Sequence, residues 1–311
     1  MNKGPLAVVG ASVLWGTAGT AGLLVSADSV SLAAARLVIG GAALALVAGL
    51  GAARQGRTVT PARLRGRIVT PGLLLGAVAV AAYQLCYFAA VSRTGVAIGT
   101  VVSIGSGPVF TGLLSWLLHG RRPSRRWTLA TTAAVCGCAA LIVGGGAQAG
   151  ERMVSGVLLA LLGGLLYAFY AVTAARAIGR GAESNAVMGV MFGGAALIML
   201  PILLVNGFGW VAEPRALLAV LYLGLGTTAL SYLLYGRGLR TTPVATAATL
   251  ALAEPAVAAL LGLVVLGERL TSVSVAGLVL LALALVVVAV PETYPVRKGR
   301  GAVESELESH P

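Results

Sequence analysis

Glu254 and Arg36 are the residues of this chain best able to do chemistry where little else is polar. Each stands inside a long apolar segment, LALAEPAVAALLGLVV for Glu254 and AAARLVIGG for Arg36. An ionisable group deep in a hydrocarbon layer costs at least about 2.5 to 3.5 kcal/mol on insertion scales, so it normally faces a polar cavity or a partner. Glu254 suits a site that exchanges a coupling proton or anchors a cation, and it equally suits a hydrogen-bonded Glu that holds helices together. Its neighbour Pro255 has no N–H to return to the Ala251 carbonyl, which predicts unpaired backbone polarity beside the carboxylate. Arg36 suits a substrate carboxylate or a pairing with Glu254, while its long stem also lets it reach the membrane interface.

Aromatic residues add a second candidate surface. Trp15 and the pairs Tyr83 and Tyr87, Tyr167 and Tyr170, and Tyr232 and Tyr235 fall in the interior of apolar segments, away from the interfacial belt where Trp and Tyr are usually enriched. Each pair is spaced i, i+3 or i, i+4 and so presents one helix face. With Gln84, Asn185 and Ser231 they are expected to line an amphipathic substrate-binding pocket, ordinary aromatic packing being the competing explanation. The glycine-rich stretch GTVVSIGSGPVFTG, Gly99 to Gly112 around Pro108, reads as close packing or a locally unwound helix rather than a phosphate loop, because it sits within an apolar span.

Catalytic signatures are missing. The two histidines are His119 and His310, outside or at the edge of the apolar spans, where they supply neither acid/base chemistry nor metal ligation inside them. No G-x-x-x-x-G-K sequence occurs, so nucleotide hydrolysis by this chain is not expected. Cys86, Cys136 and Cys138 are an odd set within apolar segments, which is no disulfide framework. Cys136 and Cys138 are two apart and diverge by about 200° on a helix, which disfavours a metal pair. No cofactor and no metal are expected, and an integral-membrane enzyme lacks the clustered buried groups it needs.

The elements that position these residues follow from composition. Of 311 residues, 58% are hydrophobic and 10% charged, with mean hydropathy +0.94; too few polar side chains exist to cover a soluble surface. Apolar stretches recur ten times, near 5–25, 31–50, 68–91, 95–118, 127–146, 154–175, 185–205, 215–236, 243–266 and 272–290, each close to the roughly 20 residues a membrane helix needs. Runs such as LVLLALALVVVAV are apolar on every face and exclude the alternation of a transmembrane β-barrel.

Those stretches repeat. Arg93 to Trp127 read against Arg240 to Ser274 at a shift of 147 residues puts Arg93 on Arg240, Pro108 on Pro255 and Gly120 on Gly267. GGAAL at Gly40 to Leu44 recurs at Gly193 to Leu197. Residues 1–150 and 151–291 are therefore expected to be two five-helix repeats, with 292–311 a disordered tail. The net charge is +12, but its distribution argues for a membrane rather than nucleic acid. With the N-terminus in the cytoplasm, 17 basic residues collect on that side, against Arg93, Arg152, Arg215 and Arg269 on the other; this is the positive-inside pattern. Ten spans put both termini in the cytoplasm, and five spans per half invert the second half. Pairs such as Gly189 with Gly193 support close helix packing and specify no particular dimer.

The stretch LALAEPAVAALLGLVVLGERLTSVSVAGLVLL, with Glu254-Pro255 followed by Gly267-Glu268-Arg269-Leu270, resembles the second-repeat signature of the EamA family in the drug/metabolite transporter superfamily. The first repeat's SIGSGPVFTGLLSWLLHGRRPSRRWTLA is similar, except that Arg121 stands where the family usually has the Glu of its G-E-R motif. WGTAG after Trp15 and AAARLVIGG around Arg36 also resemble family patterns, and the likeness extends over residues 5 to 290. It implies an all-α integral membrane fold of ten transmembrane helices, two inverted five-helix repeats around a central cavity. It also implies transport, usually export, of small metabolites such as amino acids across the cell inner membrane. The partners expected are a small-molecule substrate, the lipid bilayer and protons. Uptake or drug efflux is the runner-up, and a membrane enzyme or a non-transporting scaffold is the alternative of another class.

Overall fold

A computed structural model describes residues 3–54, 71–94, 96–119, 123–144, 152–265, 267 and 270–290, and among them there is helix but no strand. The first half comprises α1 (Lys3–Gly16), α2 (Ala18–Gly22), α3 (Ser29–Arg54), α4 (Pro71–Thr94), α5 (Val96–His119) and α6 (Arg125–Gly144). The second comprises α7 (Met153–Gly179), α8 (Ser184–Asn206), α9 (Pro214–Leu221), a π-helical segment (Tyr222–Leu230), α10 (Ser231–Gly238), α11 (Val244–Leu250), α12 (Ala253–Val265) and α13 (Ser272–Ala289). Among the described residues nine helical stretches are long and apolar enough to cross a membrane, and the chain is a multi-pass membrane protein. The basic residues Arg57, Arg63, Arg65, Arg67, Arg121, Arg122 and Arg269, the motif residue Glu268 and the tail 292–311 lie outside the described residues.

Local chemistry sets the ends of these helices. Asp28 accepts from the backbone N–H of Val30 and Ser31 at 3.0 and 2.9 Å at the start of α3, a cap of the kind that contributes about 1 kcal/mol. Thr271 does the same for α13, accepting from the Ser274 N–H at 3.2 Å. Pro71 and Pro214 open α4 and α9, where a missing N–H costs nothing.

Three of the expected continuous spans are interrupted. The stretch expected at 5–25 divides at Thr17, whose hydroxyl donates to the Leu14 carbonyl at 2.7 Å; such back-bonding competes with the helical ladder and bends it. The stretch at 215–236 widens into the π-helical turns of Tyr222–Leu230, where the Thr228 hydroxyl reaches the Leu223 carbonyl at 3.0 Å. The stretch at 243–266 breaks at Ala251 and Leu252. There the expectation of an unpaired Ala251 carbonyl fails, because the Glu254 N–H donates to it at 3.0 Å. Pro255 removes the donor one turn on, and the chain tightens to an i, i+3 bond that replaces it.

Large apolar side chains point outward, among them Leu129, Val154, Leu197, Val205 and Val264 at 72 to 86% exposure, as lipid contact requires. Small residues mark the closest helix contacts, while larger side chains such as Tyr170, Phe192 and Tyr235 fill the interior between them. The helices pair α3 with α8, α6 with α13, α4 with α7, and α1 with α10. At the α3–α8 contact a Cβ on Gly41 would land on the Phe192 carbonyl, and one on Gly193 would sit 3.0 Å from the Ala45 Cβ. The two GGAAL sequences therefore lie against each other.

Candidate functional site

A cavity of about 70 Å³, measured as room for the centres of water-sized molecules, lies where the helices converge. Its walls carry Trp15 from α1, Arg36 from α3, Tyr83 and Gln84 from α4, Tyr167 and Tyr170 from α7, Tyr232 from α10 and Glu254 from α12. Arg36 and Glu254 are both half-buried in the protein and both face this space. Among the described residues no ion pair of 4.0 Å or less joins them, so each can meet a solute or water in the cavity.

Ring contacts and hydroxyl pairs stiffen the aromatic wall. Trp15 lies 5.1 Å from Tyr232 between ring centroids, and Phe192 lies 3.9 Å from Tyr232. Tyr167 and Tyr170 meet edge to face at 5.2 Å, with Tyr83 6.2 Å from Tyr167. The Trp15 indole donates to Ser231 Oγ at 2.9 Å, and the Tyr170 and Tyr232 hydroxyls lie 3.1 Å apart. The polar tips of Trp15, Tyr170 and Tyr232 therefore have partners, and these rings are held at the cavity wall. Gly107 makes room for one of them: a Cβ there would stand 3.0 Å from the Tyr167 ring.

The remaining sequence candidates stand behind this wall. Tyr235 is fully buried and pairs with the Tyr167 hydroxyl at 3.3 Å, and Tyr87 bonds Thr100 Oγ1 at 3.0 Å. Neither lines the cavity, nor do Pro108, Pro255, Asn185 or Ser231. Pro108 is buried inside α5, Pro255 lies in the first turn of α12 beside Glu254, and Ser231 supports Trp15. Asn185 sits in the first turn of α8, away from the lining it was expected to join.

The structure adds Ser103, Phe192, Thr227 and Thr228 to the lining. Phe192 had a readable signal, being the single aromatic of α8 and immediately preceding a GGAAL sequence. Thr228 stands four residues before Tyr232, a spacing that shares a face on an α-helix, but the π-helical turns before it leave no mark in the periodicity. Ser103 was hidden among the glycines of α5.

Known proteins bear on this arrangement. The model of the EamA-like transporter family matches residues 2–143 and again 154–290. An uncharacterized transporter of Bacillus subtilis (strain 168), YwfM, is 35% identical over 286 residues, covering 91% of this chain and 92% of its own. One solved crystal structure of a protein superposes with a TM-score of 0.76 at 22% identity, over 92% of this chain and 96% of that one, and so shares the fold. An all-helical membrane bundle enclosing a charged, aromatic-walled cavity, matched by one family model over both halves, belongs to the EamA-like transporter family.

Proposed function

We propose that the protein is a secondary transporter that exports a small amphipathic metabolite, an amino acid or a related compound, by alternating access. The observation that carries this is the presence of a guanidinium and a carboxylate on one aromatic-walled cavity inside a membrane bundle. Arg36 presents a planar fork of donors suited to a carboxylate. Glu254 suits an ammonium group or the exchange of a coupling proton. The rings of Trp15, Tyr83, Tyr167 and Tyr232 supply apolar surface and cation-binding faces for the rest of the solute. Uptake of labelled amino acids into proteoliposomes, by counterflow against internal unlabelled solute, tests this reading. Tyr83→Ala and Tyr167→Ala are expected to weaken flux while expression and folding persist, and variants that unfold with unchanged residual flux would make these rings packing groups.

In this reading the chain makes ten crossings of the plasma membrane as two inverted five-helix repeats, with both termini cytoplasmic. The helix pairing supports it. The contacts α3–α8 and α6–α13 join corresponding segments of the two halves, while α4–α7 and α1–α10 are one contact with the halves exchanged. Such exchange is what a two-fold relation between repeats produces, and solute sites of such carriers lie at the repeat interface. Cysteine labelling should place the 51–67 loop in the cytoplasm and Asp28 outside. A 51–67 loop labelled from outside would overturn the inverted arrangement.

A further inference from the structure

Several buried hydroxyls share a habit, a bond to the preceding helical turn, from which Ser103 departs; Ser31 and Thr242 also lack that bond, but neither lines the cavity. Ser12, Thr111, Thr227, Ser231 and Thr249 each donate to the carbonyl four residues earlier, at 2.6 to 3.1 Å. Ser103 is 1% exposed, lines the cavity, and its Oγ has no hydrogen-bond partner among the described residues. Space for that hydroxyl is kept by Gly163 on α7, where a Cβ would stand 3.0 Å from Ser103 Oγ. Gln84, 6% exposed, brings a second neutral hydrogen-bonding group to the same lining. A buried polar group left without a partner costs more than a made hydrogen bond gains, so an unpartnered hydroxyl at a cavity wall points to something that occupies the cavity.

We infer that Ser103, with Gln84, forms a neutral hydrogen-bonding subsite that selects a small solute bearing a hydroxyl in addition to its charged groups. The inference rests on the transport reading of this cavity and narrows it. About 70 Å³ of room for the centres of water-sized molecules suits a small solute. A solute hydroxyl that reaches Ser103 gives its Oγ the hydrogen bond it lacks, whereas a methyl or hydrogen in its place leaves the serine unpaired.

Thermal stabilisation of the purified full-length protein by three solute pairs tests this, each pair differing by one hydroxyl: serine and alanine, glycerate and lactate, ethanolamine and ethylamine. The hydroxyl member is expected to bind about five- to tenfold more tightly in the pair whose charges fit, the ratio one neutral hydrogen bond commands. Ser103→Ala should bring that ratio to about one. Ser103→Cys, which keeps the size but donates weakly, should act in the same direction if the alanine variant does not fold. Equal affinities within every pair that binds, a ratio untouched by either substitution, or binding by none of the six would each overturn the subsite. Binding confined to the glycerate or ethanolamine pair would instead sink the amino-acid reading, while the hydroxyl preference is still measured within that pair.

Discussion

Glu254→Gln is expected to abolish proton-gradient-driven transport while counterflow without a gradient survives. The amide keeps most of the side-chain volume and can still make hydrogen bonds, so the start of α12 and its Pro255 turn should be preserved. What it loses is the ability to take and release a proton. In a cycle that returns the empty carrier only when this site changes protonation, flux driven by an imposed gradient falls to the background leak, and pH ceases to matter for what remains. A structural glutamate behaves differently: the amide keeps the packing, gradient-driven flux stays close to wild type, and its pH dependence is unaltered. Proteoliposomes with an acidic exterior and equal solute on both sides separate the two, and unchanged coupling in the variant would remove Glu254 from the proton path. The placement of Glu254 on the cavity, facing the same space as Arg36, is why the coupling role and the solute-binding role can meet at one carboxylate.

Much of this was legible in the sequence because the bilayer imposes few solutions. A chain that is 58% hydrophobic and 10% charged must present apolar residues outward, and a charge inside it must face something polar. Arg36, Glu254, Trp15 and one member or both of each tyrosine pair reach the cavity for that reason. Which member faces inward was not legible. Tyr232 lines the cavity and Tyr235 does not, although they stand three residues apart and each pairs its hydroxyl with a tyrosine of α7. Helix interruptions were also beyond reach: a single threonine at position 17 bends the first segment through its side-chain bond to Leu14, and nothing in its composition differs from threonines that leave a helix straight. The wide turns of Tyr222–Leu230 pack against α3, and the hydrophobic pattern of that stretch gives no sign of them.

The repeat, by contrast, has consequences that sequence and structure together make sharp, and Gly41→Val is expected to destabilise the bundle strongly. Gly41 belongs to the first GGAAL sequence, and any Cβ there would land on the Phe192 carbonyl and 2.8 Å from the Ala196 Cβ. Both obstacles sit on α8, and the nearer is backbone, which cannot swing aside as a long side chain would. Overpacking of this kind typically costs about 1 to 3 kcal/mol, and a backbone clash lies at the upper end or beyond. The damage should reach the cavity as well, since Phe192 lines it with its ring centroid 3.9 Å from that of Tyr232; separating α3 from α8 moves that ring and carries Arg36 with α3. Gly49→Ala, on the same helix where a Cβ meets nothing within 4 Å, is the matched control and should stay within about 0.5 kcal/mol of wild type. Melting of the purified variants in detergent, with counterflow measured alongside, decides the matter. Gly41→Val with a wild-type melting temperature and wild-type flux would mean that α3 and α8 do not approach as closely as the two GGAAL sequences allow.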